Sequence, residues 1–190
     1  MRVLGISGSL RRDSLNGALL RAAAERLPAG AELVEFAQLR EIPPYDADAE
    51  ELGIPAAVQE LREAMRAADA VLIATPEYNH SIPGVLKNAL DWASRPAGQS
   101  ALNGTPAAVV GASTGMFGAV WAQAETRKVL GALGGRVIET ELPVARADKQ
   151  LVDGELELEP QQSEQLQELL AELVASAEEA EEFPREKVTA

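Results

Sequence analysis

The chain has 190 residues, 46 % of them hydrophobic, and its formal net charge is −13. This length suits one domain with a sizeable core, and the apolar content excludes an intrinsically disordered chain. The negative charge argues against nucleic acid as a partner. The absence of cysteine excludes disulfides, thiolate metal ligands and thiol nucleophiles.

No stretch of the chain approaches the roughly 20 consecutive apolar residues that a membrane-spanning helix needs. Met1 and Arg2 lead directly into an apolar run, without the pattern of a signal peptide. We therefore expect a cytoplasmic protein that has no membrane partner and no metal site.

The negative charge is concentrated at the end of the chain. Residues 155–190 hold eleven acidic and two basic side chains, a net charge of −9, whereas residues 1–154 have a net charge of −4. This pattern is typical of a solvated helix face that aids solubility. We predict a single domain over residues 1–183 and a disordered tail over residues 184–190.

Strand-like and helical patterns alternate along the chain. The predicted strands cover residues 2–7, 31–37, 68–75, 105–112 and 136–142. The predicted helices cover residues 15–27, 83–93, 117–133 and 160–180, and one more begins at Pro55 after a loop over residues 41–55. The strands over residues 68–75 and 105–112 are continuously apolar, which is typical of strands that helices cover on both faces. Asp153 and Gly154 are residue types of a hairpin turn.

The alternation predicts an α/β fold in which helices cover both faces of a parallel sheet. Five strands in one compact domain favour a flavodoxin-like three-layer sandwich with strand order 2-1-3-4-5. Ligands of such sheets bind beyond the carboxyl ends of the strands, where the strand order reverses. The loops after strands one, three and four are therefore the candidate functional loops, and their sequences are SGSLRRDSLNG, TPEYNHSIPG and ASTGMFGA.

The first of these loops has the composition of a phosphate-binding turn. It leads into a helix whose first amides are unpaired and carry partial positive charge. Its serines add hydroxyl donors and its arginines add charged donors, while its asparagine either caps the helix or contacts the phosphate. The residues concerned are Ser7, Ser9, Arg11, Arg12, Ser14 and Asn16. The loop lacks both the Walker pattern and a full Gly-x-Gly-x-x-Gly pattern, so an ordinary dinucleotide site is not expected here.

The second loop begins with Pro76, which fixes one backbone angle and thereby orders the amides that follow. Those amides, from Glu77 to Asn79, match the polar edge of a flat heterocycle, and Tyr78 could lie against its ring. The alternative is an ordinary turn, in which proline and asparagine are common.

His80, the only histidine, follows directly, and we expect it to line the mouth of the site rather than to donate a proton. The third loop offers small residues and backbone amides that let a ligand approach closely, with Ser113 and Gly115 among them. Met116 and Phe117 either face a ring or belong to the core.

The predicted helix over residues 83–93 is apolar on more than one face. A helix of this kind lies either deep in a core or at a subunit interface, and the pattern alone does not separate the two. Its apolar residues are Val85, Leu86, Ala89, Leu90, Trp92 and Ala93.

These motifs together resemble one known family. GSLRRDSLN is similar to the phosphate loop of the NAD(P)H-dependent FMN reductases of flavodoxin-like fold, a family that includes quinone, chromate and azo-dye reductases. TPEYNHSIPGVLKNALDWASRP resembles the family's most specific signature, and YDAD and GASTGMFGA also fit. The resemblance covers nearly the whole chain, apart from the acidic tail beyond residue 183.

This resemblance implies FMN as the cofactor and NADPH or NADH as the hydride donor. It implies that Ser9, Arg11, Ser14 and Asn16 hold the phosphate, that Pro76, Glu77, Tyr78 and Asn79 line the flavin ring and ribityl chain, and that Ser113 and Gly115 close the site. No side chain is expected to be catalytic, because FMN carries the hydride chemistry. The resemblance also implies a homodimer or homotetramer, with the helix over residues 83–93 at the interface.

Turnover is expected to be ping-pong, with the nicotinamide and a small-molecule acceptor meeting one exposed flavin face in turn. Quinones, azo compounds, metal oxyanions such as chromate and free flavin all suit an open face. One alternative is a flavodoxin-type electron carrier, which binds FMN without oxidising NAD(P)H. Another is an enzyme that uses the flavin as a substrate and releases it reduced to a partner.

Two other protein classes of similar architecture are excluded by the residues themselves. A low-molecular-weight phosphatase needs a cysteine nucleophile, and the chain has none. A response regulator needs acidic residues at the end of its first strand, where this chain has Ile6, Ser7 and Gly8.

Overall fold

The structure is a computed structural model that describes residues 1–182. Within these residues the strands are β1 (Arg2–Ser7), β2 (Glu32–Glu35), β3 (Ala70–Ala74), β4 (Pro106–Ala112), β5 (Arg136–Val137), β6 (Leu142–Val144), β7 (Leu151–Val152) and β8 (Glu155–Leu156). The α-helices are α1 (Leu15–Ala24), α2 (Ala47–Leu52), α3 (Ala56–Arg66), α4 (Gly84–Ala93), α5 (Val120–Ala132) and α6 (Pro160–Glu182). Short 3₁₀ helices cover Leu39–Glu41 and Ala147–Gln150.

The main sheet is parallel and has the order β2-β1-β3-β4-β5, which confirms the predicted flavodoxin-like α/β arrangement. Its central registers pair Leu4 with Val71 and Ile73 with Val109. The strand order reverses between β1 and β3, so the loops that follow these two strands leave the sheet side by side.

Helices cover both faces of the sheet, and each face has its own core. Val71 and Ile73 of β3 pack on one side with Leu61 of α3 and Leu90 of α4. Leu72 packs on the other side with residues of α1 and α6. This alternation explains why β3 is apolar along its whole length, since all of its side chains are buried.

The broad apolar surface of α4 is buried within the chain itself. Leu86, Leu90 and Trp92 are fully buried and belong to the same core as α3. The Trp92 indole nitrogen donates to the carbonyl oxygen of Pro43 at 2.9 Å. Packing in the core therefore explains this surface, and a subunit interface at α4 stays a prediction.

The fifth strand differs from its predicted form over residues 136–142. β5 pairs with the beginning of β4 through Val137 and Ala107, and β6 pairs with the end of β4 through Leu142 and Val110. From Val137 to Leu142 the edge of the sheet advances by five residues, whereas β4 advances by three from Ala107 to Val110. The two extra residues on the edge form a bulge. The bulge lies between two apolar segments, so an apolar run alone predicts one continuous strand.

A short helix, α2, lies inside the stretch that the sequence predicts to be a loop. Asp46 caps it by accepting from the Asp48 amide at 2.9 Å. The preceding residue, Tyr45, anchors the stretch, because its hydroxyl accepts from Arg95 and donates to Glu50. No residue of α2 is buried, so the helix leaves no apolar periodicity in the sequence.

The predicted hairpin turn at Asp153 and Gly154 is confirmed, since β7 and β8 pair in antiparallel around it and both residues have positive φ. α6 continues two residues beyond its predicted end, to Glu182. The predicted domain end at residue 183 and the predicted tail over residues 184–190 lie outside the described residues. Within residues 1–182, no helix combines the length and apolar character that crossing a membrane requires.

Candidate functional site

A cavity lies where the loops after β1, β3 and β4 meet. Its volume is about 120 Å³, and it is open to solvent. It is lined by Ser9, Arg11, Ser14, Leu15, Asn16, Pro76, Glu77, Tyr78, Ala112, Ser113 and Thr114. The fold thus brings together eight of the ten residues predicted for the site. The other two, Asn79 and Gly115, belong to the same loops but do not line the cavity.

The loop after β1 uses the oxygen atoms of its serines on its own backbone. Ser14 caps α1, because its Oγ accepts from the amides of Asn16 and Gly17, both at 3.2 Å. The Oγ of Ser9 accepts from the Arg11 amide at 3.4 Å. These contacts order the loop, and a hydroxyl that accepts in this way still has its own proton to donate to a ligand.

The same loop carries donors that the chain itself does not use. The side chains of Arg11 and Arg12 are exposed, and neither forms an ion pair within residues 1–182. The Leu15 amide, in the first turn of α1, likewise has no acceptor in that part of the chain. Arg11 and Leu15 both line the cavity. A guanidinium and an unpaired amide at a helix start suit an anionic group.

Asn16 differs from its neighbours because its side chain is committed to the fold. The residue is 2 % exposed. Its Nδ2 donates to the Ala112 carbonyl oxygen and its Oδ1 accepts from the Ala112 amide, both at 2.9 Å. This pair of hydrogen bonds ties the start of α1 to the end of β4. Asn16 therefore shapes the wall of the cavity through the backbone that it holds.

The loop after β3 is fixed by the carboxylate of Glu77. This side chain is 12 % exposed, and its Oε2 accepts from the amides of Trp121 and Ala122 at 3.0 and 3.2 Å. Both amides belong to the first turn of α5, whose own cap residue, Ala119, has no side-chain acceptor. Glu77 thus caps α5 from another loop, and the positive end of the helix stabilises its charge.

Asn79 and His80 form the tip of a tight turn in this loop. They have positive φ values of 53° and 59°. Tyr78 and Ser81 exchange two backbone hydrogen bonds across them, at 3.1 and 3.2 Å. The turn exposes Asn79 to solvent, and this residue, which the resemblance implies to line the flavin ring and ribityl chain, does not line the cavity.

His80 has two partners that no local sequence pattern reveals. Its Nδ1 lies 3.5 Å from Oε1 of Glu77, and its ring stands edge-on to Trp121 at a centroid distance of 4.7 Å. Phe117 also stands edge-on to Trp121, at 5.0 Å. Phe117 is 59 % exposed, so it does not belong to the core. Trp121 therefore stands between His80 and Phe117 in an aromatic cluster that joins the loop after β3 to the start of α5.

A second carboxylate, Glu125 of α5, holds the end of the same loop. Its Oε2 accepts from the Ser81 hydroxyl at 2.5 Å and from the Ile82 amide at 3.3 Å. The hydrogen bond from Ser81 lowers the pKa of Glu125, and the bond from the Ile82 amide lowers it further. The loop after β3 is therefore joined to α5 by two carboxylates, one at each end.

The loop after β4 is ordered by the segment that follows β6. Ser113 accepts at its carbonyl oxygen from the Ala147 amide at 3.0 Å, and Gly115 accepts from the Arg146 amide at 2.9 Å. The Ser113 Oγ also accepts from the Gly115 amide at 2.9 Å. Ser113 lines the cavity, whereas Gly115 supports the loop from outside it.

Three residues line the cavity although no sequence pattern singles them out: Leu15, Ala112 and Thr114. All three lie within the candidate loops SGSLRRDSLNG and ASTGMFGA, each next to a predicted site residue, and this position is the signal that could have found them.

The cavity combines hydroxyl, amide and guanidinium donors on the α1 side with an ordered polar loop and a half-exposed tyrosine on the β3 side. This donor set suits a phosphate ester that carries a flat ring. The volume of about 120 Å³ is smaller than the roughly 300–1,000 Å³ of a pocket that encloses such a ligand. The cavity therefore encloses only part of a ligand of that size.

Comparison with known proteins identifies relatives over most of the chain. A family model described as NADPH-dependent FMN reductase matches residues 1–149. An NAD(P)H-dependent FMN reductase of Pseudomonas aeruginosa is 53 % identical over 130 residues, which are 68 % of this chain and 69 % of the relative. A quinone reductase of Escherichia coli strain K12 is 43 % identical over 131 residues, which are again 68 % and 69 % of the two chains.

A solved structure agrees with these sequence matches. FerB, a flavoenzyme NAD(P)H:(acceptor) oxidoreductase from Paracoccus denitrificans, superposes with a TM-score of 0.81 and 35 % sequence identity. The superposition covers 94 % of this chain and 97 % of FerB. Because so little of the chain is left out, the likeness includes at least part of α6, which lies beyond the residues that the family model matches.

Proposed function

This chain belongs to the NADPH-dependent FMN reductase family, and on that premise we propose that it reduces quinones with electrons taken from NADPH or NADH. Membership makes it an oxidoreductase whose cofactors are FMN and a reduced nicotinamide nucleotide. A quinone is the acceptor we propose, because a relative from Burkholderia sp. is named 2-hydroxy-1,4-benzoquinone reductase and the Escherichia coli relative is named quinone reductase.

The observation that carries the proposal is an anion-binding wall in a cavity with an open side. The guanidinium of Arg11, the hydroxyls of Ser9 and Ser14, and the unpaired Leu15 amide would hold the FMN phosphate. Asn16 has a different task from its neighbours, because its amide is already bound to β4. Its part is to keep the start of α1 in place.

The remaining predicted residues would border the ribityl chain and the ring. Pro76, Glu77, Tyr78 and Ser113 line the cavity and would contact FMN directly. Asn79 and Gly115 would act from outside, by shaping the loops in which these residues lie. The two carboxylate ties to α5 hold the loop after β3. The Tyr78 amide is used within the turn, so the Glu77 amide, which has no acceptor within residues 1–182, would meet the ring edge in a fixed position.

When bound, FMN supplies the chemistry of hydride acceptance and electron release, and the chain supplies orientation. Tyr78 is 50 % exposed, so the opening beside it is accessible to a second molecule. We propose that the nicotinamide and the quinone use this one opening in turn, which is a ping-pong cycle. Azo compounds, chromate and free flavin remain predicted acceptors, and the homo-oligomer, the single domain and the cytoplasmic location also remain predictions.

The proposal is tested by titrating the purified protein with FMN and then, without oxygen, with NADPH and 1,4-benzoquinone. We expect FMN to bind, its visible absorbance to bleach on addition of NADPH, and the absorbance to return on addition of the quinone. Double-reciprocal plots at several quinone concentrations should be parallel. Bound FMN that NADPH does not bleach would favour an electron carrier, and a protein that fails to bind FMN would contradict the whole assignment.

A further inference from the structure

A second cavity adjoins the one assigned to FMN, and the proposed function gives it no role. Its volume is about 500 Å³, which is in the range of small-molecule sites. It is lined by Gly8, Leu10, Arg11, Arg40, Tyr78, Pro83, Gly84 and Val85, and we name it the Arg40 groove. Arg11 and Tyr78 line both cavities, so a molecule that enters the first can extend into the second.

The walls of the Arg40 groove combine apolar surface with two cations. Leu10, Pro83 and Val85 give the apolar part, and Arg11 and Arg40 give the charge. Such a groove suits a ligand with an apolar, flat body and an anionic group.

Arg40 is held in place and still has donors to offer. It lies in the 3₁₀ helix after β2, and its Nη2 donates to the Leu10 carbonyl oxygen at 2.6 Å. This bond orients the guanidinium and uses one of its five N–H donors. Within residues 1–182, Arg40 forms no ion pair, although the whole chain has a net charge of −13.

We propose that the Arg40 groove binds the adenosine end of NADPH and that Arg40 binds its 2′-phosphate. The inference rests on the proposed function, in which a reduced nicotinamide nucleotide must reach FMN. The apolar wall matches the adenine ring, and an oriented guanidinium matches a phosphate dianion. Since NADH lacks the 2′-phosphate, Arg40 is the residue that makes the chain prefer NADPH.

The direct test uses two probes that carry no electrons, adenosine 2′,5′-bisphosphate and adenosine 5′-monophosphate, titrated by calorimetry into the FMN-loaded protein. Arg40→Gln should weaken binding of the bisphosphate about 10-fold or more, because a charge-assisted hydrogen bond is lost. It should leave the monophosphate unchanged. Arg12→Gln is the matched control, because Arg12 is an exposed arginine of the neighbouring loop that lines neither cavity.

A second variant fills the groove without touching a charge. Gly84 is in the first turn of α4, and a Cβ built on it meets no other atom within 4 Å. The larger side chain in Gly84→Leu therefore meets open space, and the substitution raises the helix propensity of this position, so the variant should fold. We expect it to weaken binding of both probes.

Kinetics give an independent readout. Arg40→Gln should raise the KM for NADPH about 10-fold and leave kcat and the KM for NADH unchanged. Equal losses for both probes or both nucleotides in Arg40→Gln would overturn the assignment. So would a loss of bisphosphate binding in Arg12→Gln equal to that in Arg40→Gln, or unchanged probe binding in Gly84→Leu. If Gly84→Leu instead splits an oligomer and leaves probe binding intact, the groove is an interface between copies and the proposal is wrong. A wild-type protein that oxidises neither nucleotide contradicts the proposed function, while the probe titration still decides the role of Arg40.

Discussion

The loops after β1 and β3 border the same cavity, but they are completed in different ways. The chain itself completes the β3 loop, because Glu77 caps α5 and Glu125 binds the loop end. The β1 loop keeps the Arg11 guanidinium and the Leu15 amide without a partner in residues 1–182. Folding alone therefore satisfies the ties of the β3 loop, whereas the β1 loop has donors that are available to a ligand. Removal of a carboxylate tie between the β3 loop and α5 should therefore change stability, and removal of the Arg11 guanidinium should change binding.

Substitution of Asn16 should give the largest change in stability. Asn16 follows the β1 loop, but its side chain stabilises the fold, so it is an exception to this division. Asn16→Ala leaves both polar groups of buried Ala112 without a partner and should lower the free energy of unfolding by about 3 kcal/mol. Urea unfolding measures the change. Asn79→Gly is the control, since Asn79 is exposed at positive φ and its change should stay within about 0.5 kcal/mol. Equal stability losses in both variants would contradict the account of Asn16.

Substitution of Arg11 tests the β1 side of the comparison, because it should weaken FMN binding without changing the stability of the fold. Arg11→Gln removes the charged donor of the cavity and should weaken FMN binding by about 2 kcal/mol, measured by titration with FMN. The free energy of unfolding without FMN should change by less than about 0.5 kcal/mol, because the side chain is exposed. Arg12→Gln should leave FMN affinity nearly unchanged. If both variants lose the same affinity, only the general charge of the loop matters.

Glu77 tests the other side of the comparison. Glu77→Ala removes the cap of α5 and should lower the free energy of unfolding by about 1–2 kcal/mol in urea titration. Glu77→Gln keeps an oxygen acceptor and should recover part of the loss. The loop after β3 would belong to the ligand-dependent wall if Glu77→Ala lost FMN affinity with no change in stability.

Glu125 should give the smallest effect, and it depends on pH. Its pKa lies below the ordinary value of 4.5, chiefly through the hydrogen bond from Ser81, so the folded state favours the carboxylate more than the unfolded chain does. This contribution is complete above about pH 4.5 and is lost as the pH falls through the lowered pKa. Ser81→Ala should therefore flatten the decline in stability below pH 4.5, measured by urea unfolding from about pH 6 to about pH 3. An unchanged decline would show that Ser81 does not act on this carboxylate.

The order of the strands and the three loops of the site follow from local patterns. The apolar runs of β3 and β4 reveal strands covered on both faces, and the parallel order then brings the loops together. What the patterns miss are bonds between distant residues. Asn16 finds its partner 96 residues away and Glu77 finds one 44 residues away, and nothing near either residue indicates these partners.

The elements that were mispredicted have the same cause. α2 buries no side chain, and the bulge between β5 and β6 is defined by its pairing with β4. Hydrophobic periodicity reports burial, so it cannot report a helix that buries nothing or a register that a neighbour imposes.

The bonds between Asn16 and Ala112 also set an order of events during synthesis. Residue 16 leaves the ribosome long before residue 112, so α1 forms while its anchor has not yet been made. Until β4 has emerged and joined β3, the start of this helix stays untethered and the cavity lacks the wall formed by Ala112, Ser113 and Thr114. We therefore expect a nascent chain that ends before β4 not to bind FMN, and loading of the cofactor to follow the emergence of β4.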